Sequence, residues 1–108
     1  MTVKELAQSC DFSPIVLPCP EREVKGAYIG DLLSWVMGRA GEDNAWITIM
    51  SNINVVAVAS LADTACVIVA EGVDFEEDIL KTAEEKGVNI LKSTKPSYET
   101  ALIISEYV

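Results

Sequence analysis

The stretch AWITIMSNINVVAVASLADTACVIVAEG, from Ala45 to Gly72, decides the fold. Two short runs within it, Trp46 to Met50 and Cys66 to Ala70, are typical of strands, and the second is apolar throughout, like a strand buried on both faces. Between them, Ile53 to Ala65 is long and contains many alanines, which favours a buried helix despite its valines. The stretch therefore predicts a strand, a helix and a strand in one parallel sheet.

The segment before this unit is predicted to begin with a short helix and an extended lead. Thr2 is followed three residues later by Glu5, which is the spacing of a capping box at the start of a helix. Ile15 to Leu17 then fits a short strand, which the prolines after it end because proline cannot donate to a sheet ladder. We treat residues 1–23 as an N-terminal lead that resembles a hairpin.

Two further elements are predicted between this lead and the central unit. Val24 to Ile29 fits an extended strand, and Gly30 followed by Asp31 marks a turn. We expect Asp31 to cap a helix that carries Leu32 to Met37 and ends at Gly41.

The part of the chain after the central unit repeats the alternation. Asp74 and Glu77 have the capping-box spacing, at the start of a helix that Gly87 ends. Val88 to Leu91 fits another strand, after which residues 93–96, with their proline, open a last helix. The sequence as a whole therefore predicts the α/β class, with a single, largely parallel sheet flanked by helices.

Composition limits the chain to one domain and restricts its partners. With 108 residues, half of them hydrophobic, the chain can enclose one core, and we expect a single globular unit over residues 1–108. Eight Lys and Arg against seventeen Asp and Glu give a net charge of -9, which repels nucleic acid and anionic membrane surfaces. The apolar runs are too short for a membrane helix, and no signal-peptide pattern is present. We expect a cytoplasmic protein.

The sequence offers little catalytic chemistry. It contains no histidine, and its three cysteines form no C-x-x-C pair, so it falls short of the usual zinc ligands. Neither a P-loop nor a G-x-G-x-x-G motif is present. We therefore expect no enzymatic activity, no cofactor and no metal. The one enzymatic alternative is a small enzyme with Cys19 as its nucleophile.

Polar residues follow three of the predicted strands at the point where each strand ends. In a parallel sheet, ligands bind beyond the carboxyl ends of the strands, against the N-termini of the following helices. If the strands are neighbours, these residues converge on a small polar ligand such as an adenine nucleotide, whose phosphate is held by backbone N–H groups with Lys92 or Lys95 nearby. The alternative is that each is an ordinary cap or turn residue. The candidate ligand-binding residues are Ser51, Asn52, Asn54, Glu71, Gly72, Ser93 and Thr94.

Four segments together resemble a known family. They are GAYIGDLLSWVM (Gly26 to Met37), AWITI (Ala45 to Ile49), NINVVAVA (Asn52 to Ala59) and VIVAEG (Val67 to Gly72). In this order they resemble the DRTGG domain over about residues 24–108, although the string Asp-Arg-Thr-Gly-Gly itself does not occur. We therefore divide the chain into the N-terminal lead, residues 1–23, and a DRTGG-like domain, residues 24–108.

The resemblance implies both a fold and a function. It implies an α/β fold similar to the N-terminal domain of HPr kinase/phosphorylase. It also implies a role like that of the modules in some phosphotransacetylases and CBS-domain pyrophosphatases, which are regulatory or structural and not catalytic. In the pyrophosphatases the module helps to form a dimer. The expected function is a stand-alone, non-catalytic, regulatory or ligand-sensing domain that forms a homodimer. The alternative is a purely structural subunit that docks on a partner enzyme.

Overall fold

The computed structural model describes all of residues 1–108 and alternates helices with short strands. Its helices are α1 (Val3–Cys10), α2 (Leu33–Arg39), α3 (Ile53–Ala62), α4 (Glu77–Lys86) and α5 (Ser97–Ile104). Its strands are β1 (Ser13–Val16), β2 (Ala27–Ile29), β3 (Ala45–Thr48), β4 (Cys66–Val69) and β5 (Ile90–Lys92). None of the five helices has both the length and the apolar character needed to span a membrane.

The five strands form one sheet in the order β1-β5-β4-β3-β2. Strands β2 to β5 run parallel to one another, and β1 alone is antiparallel, beside β5. Trp46 of β3 lies between Tyr28 of β2 and Val67 of β4 in the parallel ladder. This arrangement confirms the predicted α/β class, with a single, largely parallel sheet flanked by helices.

Side chains alternate between the two faces of the sheet and fill two hydrophobic cores. On one face, Ile47 packs with Leu6 of α1 and Ile104 of α5. On the other face, Trp46 packs with Val56 of α3 and with residues of α2 and α4. All of these side chains are fully or almost fully buried, so both layers of helices contribute to the stability of the sheet.

The N-terminal lead belongs to the sheet and its first core, but the predicted hairpin is wrong. The capping box is confirmed, because the Glu5 N–H donates to the Thr2 hydroxyl at 3.1 Å and the Thr2 N–H donates to the Glu5 carboxylate at 2.9 Å. However, β1 pairs with β5 at one edge of the sheet, whereas β2 lies at the opposite edge. Residues 1–23 contain only one strand, β1, so they form no hairpin, and the pairing with β5 buries Val16 next to α4.

Two predicted helix caps are also wrong, because each carboxylate has a partner elsewhere. Helix α2 begins after Leu32 without a side-chain cap, while Asp31 accepts a hydrogen bond from the Thr48 hydroxyl. Helix α4 likewise begins without a side-chain cap, and Asp74 forms an ion pair with Lys92. Tertiary contacts thus replace the local hydrogen bonds that these side chains otherwise favour.

The predicted helix ends are partly correct. Gly87 ends α4 as predicted, with a left-handed φ of 72°. Helix α2 ends at Arg39, so the prediction that Gly41 ends it is wrong, and α3 ends at Ala62 because the next residue, Asp63, is left-handed. Helix α5 starts after Pro96, without a side-chain cap.

Candidate functional site

The carboxyl ends of the four parallel strands meet along one edge of the sheet, where the candidate residues lie. The loops after β4 and β5 are joined at this edge. The Gly72 N–H donates to the Ser93 carbonyl and the Glu71 N–H donates to the Lys95 carbonyl, both at 2.9 Å. The structure therefore brings Glu71 and Gly72 next to Ser93 and Thr94, as the sequence predicted for neighbouring strands.

The third group of candidate residues, after β3, lines a separate part of this edge. The Asn52 side chain caps α3 by accepting from the Asn54 N–H at 2.9 Å. A cleft of about 360 Å³ lies between the start of α3 and the start of α4, and we name it the strand-end cleft. The residues that line it are Ser51, Asn52, Asp74, Glu76 and Ile79.

Carboxylates dominate the charge of the strand-end cleft. Asp74 and Glu76 both line it, and the one cation beside them, Lys92, pairs with Asp74. A net negative cleft disfavours a phosphate group. Its carboxylates, the Ser51 hydroxyl and the Asn52 amide instead suit the hydroxyl and amino groups of a ligand.

Asp31 is a residue of this edge that the sequence did not point to as part of the site. Its carboxylate accepts from the Thr48 hydroxyl at 2.7 Å and from the Ile49 N–H at 3.0 Å. Thr48 is fully buried, so this contact fixes the end of β3 and the loop that leads to Ser51. The sequence carries no local signal for it, because the contact depends on β2 lying beside β3.

Ser93 is used by the fold and does not present a free hydroxyl. It is buried, and its Oγ lies 2.8 Å from Oγ1 of Thr100 in α5 and accepts from the Lys95 N–H at 3.2 Å. The Thr100 hydroxyl also donates to the Lys95 carbonyl at 3.2 Å. These bonds hold the loop between β5 and α5, so Ser93 positions its neighbours and offers no side-chain contact to a ligand.

The three cysteines are free, and none of them lines the strand-end cleft. Burial raises the pKa of the Cys66 thiol to about 12, and it also raises the pKa of Cys10. Cys19 is exposed, in a loop where Asn89 holds its backbone through hydrogen bonds of 2.9 and 2.8 Å. No group of three or more Cys, Asp or Glu side chains is placed to hold a metal ion.

Comparisons with known proteins give a family and a fold. The family model of the DRTGG domain matches residues 21–107. The chain is also similar to a crystal structure of the CBS and DRTGG domains of the regulatory region of Clostridium perfringens pyrophosphatase, complexed with its activator, diadenosine tetraphosphate. That likeness has a TM-score of 0.77 at 10% sequence identity and covers 95% of this chain and 45% of that chain, so this chain spans less than half of its relative. No curated protein matches the sequence.

Proposed function

The chain belongs to the DRTGG domain family, and on this premise we propose that it is a regulatory, ligand-sensing domain without catalytic activity of its own. The observation that carries the proposal is the family match over residues 21–107, on a fold shared with the regulatory region of a pyrophosphatase. That region is complexed with a nucleotide activator. The lack of histidine supports a non-catalytic role, because Ser-His and Cys-His nucleophiles are excluded.

The ligand of this proposal occupies the strand-end cleft. The cleft has a volume of about 360 Å³, which is within the range of small-molecule sites. Ser51, Asn52 and Glu76 offer hydrogen bonds to the hydroxyl and amino groups of a nucleoside, and Ile79 offers an apolar contact to a base. The phosphates of a nucleotide would lie outside the cleft, because its net negative charge repels them.

Calorimetric titration with adenosine, ATP and diadenosine tetraphosphate tests this ligand site. We expect heat of binding from at least one of them, and we expect Glu76→Gln to weaken that binding by roughly tenfold, the effect of losing one hydrogen bond to a charged group. Glu84→Gln, in the helix that Glu76 precedes but outside the strand-end cleft, is the matched control and leaves the affinity unchanged. No heat at millimolar concentration from all three compounds would reject the ligand-sensing role.

Exposed apolar side chains favour the second candidate function, a structural subunit that docks on a partner enzyme. Trp46 is buried and Tyr28 is half-buried, but Trp35 is 53% exposed and Leu61 is 74% exposed. Apolar surface of this kind marks interaction sites when it is contiguous.

For either function we propose a homodimer in the cytoplasm, where a free, exposed thiol such as Cys19 persists. Light scattering on a size-exclusion column measures the mass directly. We expect twice the chain mass of 11.7 kDa, and a mass of one chain at all concentrations would contradict the dimer.

A further inference from the structure

Strand β2 forms one edge of the sheet, and its outer side has no partner strand. The Ala45 N–H donates to the Gly26 carbonyl at 3.0 Å and the Gly30 N–H donates to the Ile47 carbonyl at 3.2 Å. In a parallel ladder the residues that bond to one neighbour alternate along the strand, so Tyr28 is the residue of β2 that faces β3. The backbone N–H and C=O groups of Ala27 and Ile29 therefore point away from the sheet.

This edge lacks the features that usually prevent edge-to-edge pairing, apart from its short length. The strand contains neither a charged residue nor a proline. The nearest carboxylate in sequence, Asp31, is turned toward Thr48 and Ile49 of the neighbouring strand and loop. The open donors and acceptors of Ala27 and Ile29 are thus accessible to another strand.

Apolar side chains flank the same edge. Ile29 is 50% exposed, and Leu32 and Trp35 are 59% and 53% exposed. Leu32 directly precedes α2, and Trp35 and Arg39 lie on one side of the helix, where Arg39 stacks on the Trp35 ring at 3.9 Å. Leu33 and, directly after the helix, Ala40 lie on the opposite side of α2 and pack against the core that contains Val56 of α3, so the side with Trp35 and Arg39 is turned away from that core.

The charge of the molecule identifies which partner suits this edge. The chain has a net charge of -9, so two copies repel each other wherever their carboxylates meet. From Gly26 to Gly38 the only charged residue is Asp31, whose carboxylate is already hydrogen-bonded. The free edge of β2 therefore carries no free carboxylate, and Arg39 is the charged side chain of α2 beside it, so two copies can meet there without carboxylate repulsion.

We propose that β2 of a second copy pairs with this edge in the antiparallel direction, about a two-fold axis at Tyr28. Ala27 of each copy then lies opposite Ile29 of the other, and the two pairs exchange about four backbone hydrogen bonds. The two five-stranded sheets become one continuous sheet of ten strands, with Trp35 and Leu32 of both copies covering the junction. The inference rests on the homodimer of the proposed function and assigns its interface.

Sedimentation velocity and amide hydrogen exchange test the interface. We expect Ile29→Lys to raise the dimer dissociation constant at least tenfold, because it places a charge on the shared edge. Leu102→Lys, at an equally exposed position on α5, is the matched control and leaves the dimer intact. In the wild-type dimer the Ala27 and Ile29 amides exchange slowly, and they exchange rapidly in the Ile29→Lys variant. Trp35→Ser is a second variant with the same expected direction, should Ile29→Lys fail to fold.

The outcomes separate this interface from the dimer itself. A wild-type chain that sediments as a monomer at every concentration overturns both the homodimer and the β2 interface. A wild-type dimer that survives Ile29→Lys and Trp35→Ser, with rapid exchange at Ala27 and Ile29, overturns the β2 interface and leaves the dimer standing. A dimer that Leu102→Lys dissociates while Ile29→Lys does not places the contact on α5 and also overturns this assignment.

Discussion

At the scale of single residues, burial determines the chemistry of the three cysteines. Cys66 is a core residue of the central strand β4, and burial raises its pKa to about 12. Cys10 is buried in the same core and its pKa is also raised. The nucleophilic form of a cysteine is the thiolate, so these two thiols are unreactive in the folded protein and Cys19 is the accessible one.

The raised pKa of Cys66 predicts a loss of stability in alkali. An unfolded cysteine ionises near pH 9, whereas the folded Cys66 keeps its proton to about pH 12. The folded state therefore holds a proton that the unfolded state releases, and the free energy of unfolding falls between these two pH values by up to about 4 kcal/mol. Denaturant unfolding at pH 8 and pH 11 measures this fall in the free energy of unfolding, in the wild type and in Cys66→Ala. We expect a smaller fall in Cys66→Ala, and equal falls would contradict this explanation.

Asp31 shows how one residue connects the fold to the candidate site. Its carboxylate holds Thr48 and Ile49 at the end of β3, directly before Ser51 and Asn52 of the strand-end cleft. The position of the cleft therefore depends on β2 as well as on the strands that end beside it. A side chain with this role resembles a helix cap in the sequence, because aspartate before a helix has that function in most proteins.

At the scale of secondary structure elements, two glycines have opposite effects on their helices. Gly87 follows α4 with a φ of 72°, a conformation that costs other residues energy. Gly38 lies inside α2 and an added Cβ would meet no atom within 4 Å, so its lack of a side chain only weakens the helix.

These two positions form a matched pair for an alanine test. We expect Gly87→Ala to lower the free energy of unfolding by about 1 kcal/mol, because alanine is strained in the left-handed region. We expect Gly38→Ala to raise it by roughly 0.5–1 kcal/mol, because alanine loses less backbone entropy in a helix. Chemical denaturation followed by circular dichroism measures both. A higher free energy of unfolding in Gly87→Ala would contradict the strain assigned to Gly87, and a lower one in Gly38→Ala would contradict the explanation of Gly38.

The sequence predicts an element well where the apolar pattern of its own residues determines it. It predicts an element poorly where contacts with residues distant in the sequence determine it. The unit from Ala45 to Gly72 was predicted correctly, because its strands and helix are buried by their own apolar pattern. The hairpin and the Asp31 and Asp74 caps were wrong, because their partners lie far away in the sequence. The candidate residues lie at the carboxyl ends of the parallel strands, and their binding of a ligand stays a prediction. The Ser93 side chain is used by the fold, a role that depends on α5.

At the scale of the whole molecule, charge is unevenly distributed. Helix α4 carries four carboxylates in its sequence EDILKTAEEK, whereas α2 and α3 carry none. The α2 and β2 side is therefore the part of a strongly acidic molecule that has the fewest free carboxylates, and α2 carries the cation Arg39. Carboxylates on the α4 side repel a second copy, whereas the α2 and β2 side permits contact. Self-association is therefore favoured through the α2 and β2 side.

The N-terminal lead is integrated into the whole molecule, which predicts one cooperative unfolding transition. Leu6 of α1 is fully buried, in the core on one face of the sheet, while Trp46 is fully buried on the other face. We expect Leu6→Ala to lower the free energy of unfolding by about 2–5 kcal/mol, through lost burial and the cavity left behind. Because the sheet joins the two cores, the midpoint measured by tryptophan fluorescence should shift together with that measured by circular dichroism. Leu102→Ala, at an exposed position, is the control and should shift neither midpoint by much. If Leu6→Ala left the tryptophan midpoint unchanged, residues 24–108 would fold independently of the lead.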